Sequence, residues 1–133
     1  MASYMIRVFR TVEPAFAEIR GDLGFAPPTD VAQTADGLLV RMEIAGVSPA
    51  AMEISVSEDG RTLTVTGDRP HEVSDGVERY LNIEIPRGRF GRRITLPREV
   101  DAQGATASYA DGFLVIRLPW HKRTVSRRIP VTG

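Results

Sequence analysis

Apolar residues in this chain recur at every second position over most of its middle and later parts, and that period constrains the fold more than any other feature. Leu38, Val40, Met42 and Ile44 alternate with Leu39, Arg41, Glu43 and Ala45. Met52, Ile54 and Val56 alternate with Glu53 and Ser55, and Leu63 and Val65 with Thr62, Thr64 and Thr66. Successive side chains of a strand point to opposite faces, so each segment reads as a strand with one buried face. Tyr80 to Ile85, Phe90 to Leu96, Ala105 to Tyr109 and Phe113 to Leu118 supply further strands. The separators carry turn chemistry: Asp36-Gly37, Gly46-Val47-Ser48-Pro49, Asp59-Gly60 and Asp111-Gly112, where glycine tolerates positive φ and Asp caps its own turn. Closely spaced strands with no helix between them exclude a βαβ fold. They predict an all-β, immunoglobulin-like antiparallel sandwich.

The two ends follow other rules. Met5, Phe9, Val12, Phe16 and Ile19 recur at the spacing of an amphipathic helix, so residues 3–22 are expected to be helical, with a kink or a break into two short helices at Pro14, which cannot donate to the ladder. Ala26-Pro27-Pro28-Thr29 marks a stiff boundary. At the other end, His121 to Gly133 is basic and finishes in Ile129-Pro130-Val131. In an extended chain Ile129 and Val131 point the same way, and Pro130 between them has no N–H, which suits an added edge strand. A docking peptide, a last strand of the same domain and a frayed end stand level on these residues alone. The division expected is an arm over 1–26, a sandwich over 27–118 containing a polar loop that starts at Gly67, and an extension over 119–133.

Composition narrows the chemistry. A chain of 133 residues fits one domain with extensions. It has no Cys, which excludes a disulfide framework, a thiol nucleophile and Cys-ligated metal. No apolar run approaches the roughly 20 residues that span a bilayer, and the first residues lack a signal pattern, so a cytoplasmic protein without membrane contact is expected. The 17 basic and 17 acidic residues cancel, yet they are unevenly placed. Residues 27–85 carry four basic and eleven acidic side chains, and residues 86–133 carry ten basic and three acidic. Such polarity inside a neutral total favours self-association over nucleic-acid wrapping. His71 and His121 stand far apart without metal-ligand spacing, and no G-x-S-x-G elbow, Walker loop or G-x-G-x-x-G fingerprint occurs. Arg87-Gly88-Arg89-Phe90-Gly91 reads as a basic turn into a strand rather than an RNA-binding tract. No catalytic residue, cofactor or metal is inferred, and the expectation is that the chain is not an enzyme.

Four segments in order resemble the small heat-shock protein (α-crystallin) family. The first is Pro28-Thr29-Asp30-Val31 followed by Leu39-Val40-Arg41-Met42-Glu43-Ile44-Ala45-Gly46-Val47, with Ala45 where the family commonly has Pro. The second is Glu78-Arg79-Tyr80, then Phe90-Gly91-Arg92-Arg93-Ile94-Thr95-Leu96-Pro97. The third is Ala107-Ser108-Tyr109-Ala110-Asp111-Gly112-Phe113-Leu114, ending at Leu118-Pro119, and the fourth is Ile129-Pro130-Val131. Phe113 replaces the usual Val, Trp120 replaces the usual Lys after Leu-Pro, and the arm is short.

The resemblance implies an α-crystallin-type sandwich that dimerises by strand exchange and assembles further through its tail. It makes 67–86 the exchange loop and Tyr80, Leu81, Asn82 and Ile83 its swapped strand. It assigns Arg92 to an ion pair near the dimer interface, with Glu84 or Glu78 as the partner. It sends Ile129, Pro130 and Val131 into a groove between the strand holding Met52, Ile54 and Val56 and the strand holding Ala105, Ala107 and Tyr109, where the small Ala side chains leave room. The function implied is an ATP-independent holdase that binds partly unfolded proteins and prevents their aggregation, with Phe9, Val12, Phe16, Ile19 and Phe25 of the arm as client contacts or as packing inside the oligomer. Its partners would be further copies of itself and unfolded clients. Two other readings compete. One is a monomeric co-chaperone adaptor of the CS-domain type, against which the tail motif and the long loop argue. The other is a nucleic-acid binder, against which the neutral charge argues.

Overall fold

The computed structural model describes residues 7–11, 23–71, 75–122 and 128–133. Its strands in chain order are β1 (Arg7–Thr11), β2 (Thr29–Gln33), β3 (Gly37–Glu43), β4 (Glu53–Ser57), β5 (Thr62–Arg69), β6 (Gly88–Thr95), β7 (Thr106–Ala110) and β8 (Phe113–Pro119). They form two four-stranded sheets, ordered β1-β4-β5-β6 and β2-β3-β8-β7. The all-β sandwich expected from the period-two pattern is therefore the architecture observed.

The alternation sets which faces meet. Leu38, Val40 and Met42 of β3 and Leu114, Ile116 and Leu118 of β8 are buried, as are Ile54, Val56, Leu63, Val65 and Phe90 of the opposing sheet. One face of each of these strands thus supplies the core, while Arg41, Glu43 and Arg117 stay in solvent. On that outer face the Arg41 guanidinium stacks 3.9 Å from the centre of the Phe113 ring. Phe113, a departure from the family pattern, is thus shielded by a neighbouring cation. The β7–β8 hairpin turns through Asp111 (φ 54°) and Gly112 (φ 82°), two left-handed residues that match the twist of the flanking strands.

Two segments of the described residues depart in the single chain from the elements expected of them. Arg7–Thr11 is a strand, paired parallel with β4 (Val8 opposite Ile54), rather than a turn of helix. A short isolated helix is marginal; Val8, Phe9 and Thr11 favour extended backbone, and the edge of β4 offers a ladder to pair with. Met5, Val12, Phe16 and Ile19 lie outside the described residues, as does Pro14. Tyr80 to Ile85, expected as a strand, carries no ladder in the single chain.

The segment joining arm to sandwich is itself part of the sheet edge. The Phe25 N–H donates to the Arg89 carbonyl at 3.0 Å, and the Gly91 N–H donates to the Phe25 carbonyl at 2.9 Å. Phe25 thereby straps the outer edge of β6, its ring 5.7 Å from that of Phe90.

Candidate functional site

The distinctive surfaces among the described residues are a sheet edge, a loop and a tail. The edge is that of β4. Met52, Ile54 and Val56 are buried to 1% exposure or less, and Ala105, Ala107 and Tyr109 pack half-buried against the same core from the other sheet. Sheet order places β4 between β5 on one side and β1 on the other. The Tyr109 hydroxyl donates to the Ile44 carbonyl at 2.7 Å, which fixes the ring over the end of β3. The six residues read as a tail groove thus all belong to, or pack against, one core, from opposite sheets of the sandwich. The strand seated beside β4 is β1, with Val8 packed against the core and the backbone beside the Ala102–Gly104 turn.

The loop comes next. Tyr80, Leu81, Ile83 and Ile85 are exposed, Leu81 at 87% and Ile85 at 63%. Asn82 Nδ2 donates to Glu84 Oε2 at 2.6 Å, and Arg87 lies over the Tyr80 ring. The base of the loop is pinned by Arg69. Its Nε donates to the Pro86 carbonyl at 2.9 Å, its Nη2 to the same oxygen at 2.5 Å and its Nη1 to the Ala45 carbonyl at 3.2 Å. The guanidinium also lies 4.8 Å from the Phe25 ring centre. One flat fork therefore holds the exit of β5, the return of the loop and the strap from the arm, a geometry an ammonium could not match.

Arg92 lies in β6 opposite Val65. Among the described residues it has no ion pair within the chain, and Glu78 and Glu84 stand elsewhere on the exposed loop. In the tail, Ile129 and Val131 are 76% and 95% exposed. Trp120 closes the domain before the tail departs: its N–H donates to the Asp36 carbonyl at 3.0 Å, and Arg98 stacks 4.6 Å from its ring centre.

Of the five arm residues, Phe25 is half-buried against Phe90 and Arg69. Phe9 falls within β1, and Val12, Phe16 and Ile19 lie outside the described residues. Sequence reasoning missed Val8 and Arg69. The signal for Val8 was present: Ile6-Arg7-Val8 repeats the I-x-V pattern of Ile129-Pro130-Val131. Arg69 had no signal, because its partners are carbonyls brought close only by the fold.

A polar network holds the turn between β4 and β5. The Ser57 hydroxyl donates to Asp59 Oδ1 at 2.6 Å, the Arg61 N–H donates to the same oxygen at 3.0 Å, and the Thr62 N–H donates to Ser57 Oγ at 3.0 Å. The Ser57 hydrogen bond, followed by that from the Arg61 amide, holds the Asp59 carboxyl below its ordinary range. His121 Nε2 lies 3.3 Å from Glu99 Oε2 at the surface. Among the described residues no three His, Cys, Asp or Glu side chains gather where a metal ion could sit, and no helix is long and apolar enough to cross a membrane.

Comparison with known proteins places this architecture. Residues 30–132 match the model of the Hsp20/alpha crystallin family. Spore protein SP21 of Stigmatella aurantiaca is 30% identical over 120 residues, covering 90% of this chain and 70% of that one. The 19.0 kDa class II heat shock protein of Oryza sativa is 34% identical over 96 residues, 67% of this chain and 54% of the relative. The crystal structure of a small heat-shock protein from Xylella fastidiosa superposes with a TM-score of 0.65 at 33% identity, covering 80% of this chain and 96% of the other. A family match over most of the sandwich and the tail, carried by the same strands that build the groove, leads to one conclusion: the chain belongs to the Hsp20/alpha crystallin family of small heat-shock proteins.

Proposed function

We propose that this protein is an ATP-independent holdase that works in the cytoplasm as an oligomer of strand-exchanged dimers, with no enzymatic activity. One observation carries the reading. The large apolar side chains left exposed among the described residues are Val31, Val77, Tyr80, Leu81, Ile83, Ile85, Ile129 and Val131. All but Val31 lie on the loop or the tail, and Val31 lies on β2, an edge strand of its sheet. A chain that buries its sandwich core and concentrates exposed apolar surface on two extensions and one strand edge is shaped for association with its own copies.

In this reading Tyr80, Leu81, Asn82 and Ile83 of one subunit add a strand to the β2 edge of the partner, and two-fold symmetry repeats the exchange. Fully burying Leu81, Ile83 and Ile85 contributes roughly 5–9 kcal/mol per loop before the cost of association. Arg92 pairs across the interface with Glu84 or Glu78 of the neighbouring subunit. If subunits of an Arg92→Ala variant exchange at the unaltered rate, that pairing is wrong.

The tail links dimers. Ile129 and Val131 dock beside β4, with Ala105 and Ala107 giving them room. Burying one Ile and one Val is worth a few kcal/mol, so each link is reversible and a stable assembly needs many. Warming loosens the links and exposes grooves and arms as clients begin to unfold. Capture then competes with client aggregation without a nucleotide cycle.

Native mass measurement tests this. The full chain is expected to form a large oligomer, and a chain ending at Arg128 to collapse towards dimers. A monomeric full chain would overturn the proposal. In parallel, light scattering of a heated client without nucleotide should be suppressed at equimolar dose; scattering equal to the control would remove the holdase assignment.

A further inference from the structure

Residues 119–121, the first of the expected extension, are held to the body of the sandwich on two sides. The Trp120 N–H donates to the Asp36 carbonyl, in the turn between β2 and β3, at 3.0 Å. On the other side the Asp101 N–H donates to the Pro119 carbonyl at 2.8 Å and the His121 N–H to the Glu99 carbonyl at 3.0 Å, which pairs Val100 with Trp120 in antiparallel fashion. The Trp120 ring packs half-buried against the core cluster, and the Arg98 guanidinium lies 4.6 Å from the ring centre. His121 Nε2 adds a contact to Glu99 Oε2 at 3.3 Å. Lys122, the next residue, is exposed.

We propose that Trp120 is the positioning residue of the tail: it fixes the origin of the tail after His121, and so limits which neighbouring subunits Ile129-Pro130-Val131 can link. The effect on assembly rests on the tail-linking reading above; the anchor itself does not.

Reach decides what the anchor changes. In a chain free from Pro119 onward, ten residues separate Leu118 from Ile129; with the anchor closed, seven separate His121 from Ile129. At about 3.3–3.6 Å per extended residue, the span falls from roughly 35 Å to roughly 25 Å. A link is lost wherever its connector cannot bridge the two sites, so the shorter span admits fewer arrangements of neighbours.

The side chain at 120 closes the anchor. Any residue except proline can make the Trp120 backbone bond, but pairing at the end of a domain frays unless it is tied down. Trp ties it with a large apolar face against the core and a π face under a cation. The Lys usual at this place in the family offers neither, and its ammonium would repel the neighbouring Arg98.

The test uses the full chain. Amide exchange across residues 118–122, read by mass spectrometry, and native mass distributions are compared for the parent, Trp120→Phe, Trp120→Lys and Arg98→Ala. Trp120→Phe keeps an aromatic face and is expected to exchange within threefold of the parent. Trp120→Lys is expected to exchange at least tenfold faster and to give a broader mass distribution. Arg98→Ala should exchange faster by a smaller factor and leave the sole tryptophan more accessible to acrylamide quenching. Deleting Thr124, Val125 and Ser126 from the Trp120→Lys chain returns the connector to seven residues. It is expected to restore the parent's mass distribution, which a merely structural role of Trp120 would not do. Exchange unchanged in both Trp120→Lys and Arg98→Ala overturns the anchor. Faster exchange with unaltered masses, or with masses that the deletion leaves broad, overturns its control of assembly. A parent chain that forms nothing larger than a dimer overturns tail linking and that control with it, while the exchange readout still decides the anchor.

Discussion

Arg69→Ala is expected to loosen the exchange loop and the arm strap together. The side chain makes three hydrogen bonds to the carbonyls of Pro86 and Ala45 and stacks on Phe25. The bonds lie in solvent reach, so each is taken at the low end of the net range, about 0.5 kcal/mol, and the exposed cation–π contact adds about 0.5–1 kcal/mol. Removing the fork should then cost about 2 kcal/mol. Arg69→Lys keeps a charge near Phe25 and can satisfy one carbonyl, so about 1 kcal/mol should be lost. Thermal unfolding followed by circular dichroism, at matched protomer concentration because any self-association makes Tm depend on it, should show a Tm lower by roughly 6–10 °C for Ala and about half that for Lys. Limited proteolysis between Arg69 and Arg87 should accelerate in the same order. If Lys and Ala lower Tm equally, planar two-carbonyl recognition is not what Arg69 contributes. If neither changes Tm or cleavage, the loop is held by something else.

Two further substitutions probe the sandwich itself. Gly67 faces Phe90 across β5 and β6, and a Cβ built there would stand 2.3 Å from Phe90 Cζ and 3.2 Å from the Ala51 carbonyl oxygen. Gly67→Ala should therefore lower stability by about 1–3 kcal/mol in urea titration, and pairing it with Phe90→Leu should recover part of the loss; simple additivity would show that the ring is not the obstacle. At the β4–β5 turn, the carboxyl of Asp59 is held below its ordinary range, so its contribution is present at neutral pH and lost as the pH falls below about 4 towards the lowered folded value. Asp59→Ala should be less stable than the parent at pH 7, with the gap closing in acid; a gap independent of pH would place the effect in packing rather than charge.

The positions of β3, β4, β5 and β8 were legible because one face of each is buried. From Leu38 to Ile44 the alternation is the burial pattern itself, and turns such as Asp111-Gly112 carry residues suited to their positive φ. The candidate groove was legible only through family resemblance, since Met52, Ile54 and Val56 look in sequence like any buried strand. The arm was misread over Arg7–Thr11 because apolar residues at spacings of three and four fit a helix until an open strand edge competes for the same backbone.

What the sequence determined alone was local: which residues face a core, where the chain turns, and that Cys chemistry is excluded. The tertiary structure decided what no local pattern contains. It placed the arm on the single free edge of β4, turned Arg69 into a three-way clamp, and separated Tyr80–Ile85 from every sheet of its own chain. Each depends on groups far apart in sequence becoming neighbours. Backbone hydrogen bonding is non-local in a sheet, so a strand exists only where a partner edge is within reach.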